Sequence, residues 1–140
     1  MKVIRNWTRH SLILIGAGLI YLGIGIGFLS APKLVAKDPS LKVALQWLTF
    51  HQWGWVFISC GFLAILASGW PMGKKVWGYM LLTALSSAWA TFYVLAVVFY
   101  DAPKLTWISA LIWGLLAFIW WGVSGLLSPE HVRRMGDGRG

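Results

Sequence analysis

Four long stretches of this chain carry no charged side chain: Ser11 to Pro32, Val43 to Gly73, Val76 to Tyr100 and Leu105 to Pro129. Each exceeds the ~18 apolar residues that mark a membrane-spanning helix. A backbone in hydrocarbon has no water to bond, so a span of this length must satisfy its own N–H and C=O groups, which a helix does. Four spans and their short connections use nearly all of the 140 residues and leave no room for a soluble domain. Only 11% of the residues are charged, against roughly 25% in soluble globular domains. The expected fold class is all-α: an integral membrane four-helix bundle with short loops.

The first span is expected from about Ser11 to Ser30, where Pro32 prevents simple continuation. It follows Lys2, Arg5 and Arg9, as a signal peptide would. However, the apolar run is too long for an h-region, and Phe28-Leu29-Ser30-Ala31 lacks the small residue a cleavage site needs at its minus-three position, so a retained span is expected. Its Gly16, Gly23 and Gly27 are spaced seven and four apart and share a face. Gly23 and Gly27 form a small-xxx-small pair that lets another helix approach, either within the chain or from a second copy.

Asp38 reads as an N-cap with Pro39 at the first helical position. A helix from there to Ser68 is too long for one straight span. Residues 39–50 are expected to form an amphipathic extension, with a bend at Gly54 and the membrane part from His51 to Ser68. Gly69 to Lys75 reads as a tight turn, the third span as Val76 to Tyr100, Asp101 to Lys104 as a second turn, and the fourth span as Leu105 to about Leu127. Residues 129–140 read as a cytoplasmic tail. An internal echo, Gly61-Phe62-Leu63-Ala64 with Gly69 and Gly114-Leu115-Leu116-Ala117 with Gly122, relates the second and fourth spans or arises by chance in apolar sequence.

Basic residues set the orientation. Lys2, Arg5, Arg9, Lys74, Lys75, Arg133, Arg134 and Arg139 lie on one side, and Lys33, Lys37, Lys42 and Lys104 on the other. Eight against four places both termini in the cytoplasm, in a plasma or inner membrane. The formal charge of +8 is then explained by topology and anionic lipid at the cytoplasmic face rather than by nucleic acid. Most of the eleven tryptophans fall at the two expected interfaces, and only Trp89 and Trp113 near the middle, where each needs a partner for its indole N–H or leaves it unpaired at a cost.

With Lys74 and Lys75 in the turn, the spans hold no Asp, Glu, Lys or Arg. Pumps, ion-coupled transporters and intramembrane hydrolases usually rely on such groups, so neither catalysis nor active transport is expected. Cys60 is the single cysteine, which excludes an intrachain disulfide and a cysteine metal cluster. No cofactor and no metal site are expected. The candidate polar contacts are His51, with Gln52 beside it, and Tyr93, Tyr100 and Asp101 at similar depth on the third span. His51 is expected to bond that span. Ser86, Ser87, Ala88, Ala90 and Thr91 give the third span a small, polar middle, with Ala84/Ala88 and Ser87/Thr91 four apart, for interhelical packing or a lined pocket.

The segments Leu48-Thr49-Phe50-His51-Gln52-Trp53-Gly54-Trp55, Trp77-Gly78-Tyr79-Met80 and Ala84-Leu85-Ser86-Ser87-Ala88-Trp89-Ala90 resemble small four-span membrane proteins of actinobacterial phages and prophages. The resemblance covers the spans and not the tails. It implies a non-enzymatic, phage-related role, such as an oligomerising holin, a lysis accessory or an exclusion factor, and carries over no functional residue. The competing expectations are an accessory subunit of a larger membrane complex, or a carrier of a lipophilic molecule such as a quinone held near Trp89 and Trp113.

Overall fold

The computed structural model describes residues 9–30 and 37–126. Lys2, Arg5, Trp7, Lys33 and the tail from residue 127 lie outside the described residues. Among the described residues the regular structure is entirely helical: α1 (Arg9–Leu29), a 3₁₀ turn (Pro39–Leu41), α2 (Lys42–Trp47), α3 (Phe50–Ser68), α4 (Met72–Phe99) and α5 (Thr106–Leu126). Four of these helices, α1, α3, α4 and α5, are long and apolar enough to cross a membrane. They run alternately up and down, so the start of α1 and the end of α5 lie at one end of the bundle, where Tyr79 of α4 touches both His10 and Trp120.

α1 and α3 approach backbone to backbone. A Cβ placed on Gly18 would sit 2.6 Å from the Gly61 carbonyl oxygen, and one on Gly61 would sit 2.6 Å from the Gly18 carbonyl oxygen. One heptad on, a Cβ on Gly25 would meet the Gly54 carbonyl at 2.7 Å. Gly18 and Gly25, seven apart on α1, therefore face Gly61 and Gly54, seven apart on α3. The close approach lies one face away from Gly23 and Gly27, which meet nothing within 4 Å among the described residues. The sequence spacing alone makes either glycine set a packing stripe. Only the rotation of α1 against α3 selects between them. Gly114 also faces open space, so the matching letters around Gly61 and Gly114 occupy different environments.

The break between α2 and α3 falls at Leu48 and Thr49, not at Gly54. Leu48 is extended (φ −143°, ψ 148°) and Thr49 caps α3 with a capping box. The Thr49 backbone N–H donates to Gln52 Oε1 at 2.9 Å, and the Gln52 N–H donates to Thr49 Oγ1 at 3.3 Å. These two bonds satisfy donors that a helix start leaves open, so the chain stops and restarts here. Gly54 is instead needed inside α3 for its contact with α1. At the upstream end, Asp38 caps the 3₁₀ turn by accepting from the Ser40 N–H at 2.9 Å, with Pro39 in the first position.

α4 is 28 residues long, about 42 Å at 1.5 Å per residue. It outreaches the ~30 Å hydrocarbon thickness. α2 folds over its final turns, where Val43 packs with Ala96 and Ala102. α4 ends at a turn in which Asp101 takes a left-handed conformation (φ 50°). Aspartate visits that region more readily than most residues. The Ala102 N–H then returns to the Ala96 carbonyl at 3.3 Å, and Pro103 follows.

Candidate functional site

Polar and aromatic side chains gather in three layers along the bundle. The middle layer is centred on Trp89, which is 2% exposed. Its ring stacks on Phe28 with centroids 5.3 Å apart. It meets Trp53 edge-on at 5.3 Å and packs against Phe57 at 5.5 Å, Tyr93 at 5.7 Å and Trp113 at 6.0 Å. These rings come from α1, α3, α4 and α5, so one residue ties all four long helices. Among the described residues the Trp89 indole N–H has no hydrogen-bond partner, the costlier of the two alternatives. An orphaned buried donor costs about 1–3 kcal/mol, while aromatic pairs contribute about 0.5–1.5 kcal/mol each beyond their burial. Several such pairs outweigh the orphan. Trp89 and Trp113, the two rings expected near the middle, pack directly against each other.

Next to this layer, the buried Tyr21 hydroxyl pairs with the Ser86 hydroxyl and donates to the Leu82 carbonyl at 3.5 Å. Ser86 thus makes the polar interhelical contact on α4. Its neighbours Ser87 and Thr91 do not: both are exposed, and Thr91 Oγ1 donates to the Ser87 carbonyl of its own helix at 2.8 Å.

The second layer lies where α1 starts, α3 ends and α4 starts. Lys75 is 1% exposed. Its ammonium donates to Ser11 Oγ at 2.6 Å, and the Ser11 hydroxyl donates to the Ser68 carbonyl at 3.0 Å. The Tyr79 hydroxyl donates to the His10 carbonyl at 3.1 Å. Three helix ends are thereby joined through one cation and two hydroxyls. This corrects the expectation of charge-free spans. α4 begins at Met72, ahead of Val76, so Lys75 stands inside the helix rather than in the turn before it. A signal for it was present. Stepping back from Trp89 by helical periods gives Ser86, Leu82, Tyr79 and Lys75, all on one face and all buried. An ionisable group inside a bundle is costly to keep and marks a place of structural or functional use.

The third layer lies at the opposite end. The Gln46 amide donates to the Tyr100 hydroxyl at 2.8 Å, and that hydroxyl donates back to Gln46 Oε1 at 3.2 Å. The Lys42 ammonium lies 5.2 Å from the centroid of the Tyr100 ring. The Trp53 indole donates to the Ala44 carbonyl at 2.8 Å, which fixes α2 onto α3. His51 takes no part. It is exposed and makes no side-chain hydrogen bond among the described residues, and Gln46 bonds Tyr100, one of the three groups on the third span expected at a depth similar to that of His51. Tyr93 turns inward to Trp89, Asp101 forms the turn after α4, and Gln52 serves the cap of α3. Sequence reading missed Gln46 because the break at Leu48 and Thr49 re-aims α2 toward α4. No fixed helical register across residues 39–68 places it there.

Among the described residues, no group of three or more His, Cys, Asp or Glu side chains comes together in a way that could hold a metal ion. Cys60 is buried with its thiol free. No known family, curated protein or solved structure matches the chain.

Proposed function

We propose that the protein is a non-enzymatic, multi-pass protein of a plasma or inner membrane, with both termini cytoplasmic, that works by lateral association of its copies in a holin-like or lysis-accessory role. The observation that carries this reading is the division of glycines on α1. Gly18 and Gly25 are used on α3, while Gly16, Gly23 and Gly27 lie exposed on the outside of the bundle with nothing within 4 Å. Lipid tails are as apolar as leucine, so helices associate in a bilayer mainly by close packing, which small residues permit. The filled aromatic interior supports the same reading, because permeability then has to arise between copies and not through one. The eight-to-four distribution of basic residues supports the orientation.

Crosslinking of the full chain in membranes tests the association. A ladder of multimers that Gly23→Leu with Gly27→Leu removes, at unchanged melting temperature, is the expected result, together with membrane permeabilisation on induced expression. A monomer that co-purifies with a different, stoichiometric membrane protein would replace this reading with that of an accessory subunit. For the topology, single cysteines at Ser40 and Gly138 in a Cys60→Ser background should label from opposite sides. Labelling from the same side defeats it.

A further inference from the structure

α3 is sealed against α1 by glycines, but its seam with α4 is open on the outside of the bundle. At the end where α3 stops and α4 starts, a groove of about 410 Å³ lies between Leu63, Ala67 and Trp70 on one bank and Lys74, Gly78 and Leu81 on the other. It continues past Leu63 and Leu81 into a second stretch of about 560 Å³, with Cys60, Ala84 and Ala88 along it. We infer that this groove is a binding site for one anionic phospholipid, with its phosphate on Lys74 and an acyl chain lying along the small residues Gly78, Ala84 and Ala88.

Three observations select this occupant. Lys74 is exposed at the mouth, between the exposed indoles of Trp70 and Trp77, and indoles and cations together favour the headgroup level. The groove runs along α4 from Lys74 to Ala88, about 21 Å at 1.5 Å per residue. That is the depth of one leaflet with its headgroups, half of ~40–45 Å. Beyond its mouth the groove is lined by apolar and small side chains, apart from Ser59. A second copy does not complement it as well. The acidic side chains among the described residues are Asp38 and Asp101, both at the opposite end, so a parallel copy brings none of them to Lys74. The bound phosphate supplies that countercharge.

The inference rests on the membrane placement proposed above and not on self-association. It is tested on the full chain in a neutral detergent, with lipid adducts read by native mass spectrometry. Dioleoyl phosphatidylglycerol should add one-to-one, about tenfold more tightly than dioleoyl phosphatidylcholine, whose phosphate is already countered by its own choline and gains less from Lys74. Lys74→Gln should bring the two lipids to nearly equal affinity. Ala84→Phe, at an exposed position that leaves the core untouched, should weaken both. Should Ala84→Phe lower the melting temperature, Leu81→Trp fills the same groove from another exposed position and serves in its place. Lys104→Gln at the other end should change neither. Retained phosphatidylglycerol preference in Lys74→Gln, or undiminished binding in the filled grooves, overturns the site. Binding of glycerol phosphate alone at comparable affinity overturns it as a lipid site and leaves a simple anion site. Multimers resolved in the same spectra separate the fate of the lipid site from that of the association.

Discussion

Where α3 meets α1, the Gly61 and Gly18 carbonyls each lie 2.6 Å from the place a Cβ would take on the facing glycine; where α3 meets α4, rings fill the inside of the seam and a groove runs along its outside. The first contact is made of backbone and has no adjustable part. The second is made of long side chains, with Trp89 inside and the Lys75–Ser11–Ser68 chain at one end, while at the other end Gln46–Tyr100 ties α2, not α3, to α4. In an apolar surround, burial adds little to the pairing of helices, and fit and hydrogen bonds have to supply it. The α1–α3 seam relies on fit. The α3–α4 seam relies on a plug and one polar tie through Ser11, which leaves room along its outer edge.

Trp89→Ala should have the largest effect, about 3–5 kcal/mol as for other buried large aromatics, read from denaturant unfolding in micelles. A loss below that of Gly61→Leu would mean that the plug is not what joins the α4 side. Gly61→Leu should cost about 3 kcal/mol, the upper range for forcing bulk into a packed contact, whereas Gly23→Leu should leave the stability of the single bundle within about 0.5 kcal/mol, as exposed substitutions do. Equal effects at the two glycines would break the contrast between the faces of α1. Lys75→Met keeps the apolar stem and removes the tie to Ser11, and should cost about 1–2 kcal/mol in the same assay. A gain in stability would show that burying the ammonium costs more than its bonds return. Tyr100→Phe should be mildest, about 1 kcal/mol, and should raise hydrogen exchange in α2 first. His51→Ala, on the exposed side of α3, should raise exchange nowhere.

The four long helices, the Asp38 cap and the turn containing Asp101 were legible because each depends on local chemistry: runs without charge, a side-chain oxygen beside an open N–H, and a proline ending a helix. The candidate residues fared less evenly. Trp89 and Trp113 were singled out for their depth, and Trp89 stands in the core with the half-buried Trp113 packed against it. His51, Ser87, Thr91, Gly23 and Gly27 were singled out by residue type and spacing, and they stand on outer faces. Ser86 was read only as one of the residues of a small, polar middle, and Gln46 and Lys75 were passed over, although all three make polar ties.

By itself the sequence determined how many long helices form, roughly where they begin and end, and which residues share a face on each, because a helix closes its hydrogen bonds within its own segment. It did not determine which of two glycine faces on α1 turns toward α3, nor that Lys75 turns inward beside Ser11. Every long helix here is apolar around most of its circumference, so no polar face marks the outside, and rotation about the axis has no local signature. Rotation is decided only when Gly18 seats on Gly61, Gly25 on Gly54, and Trp89 closes among the rings of its neighbours.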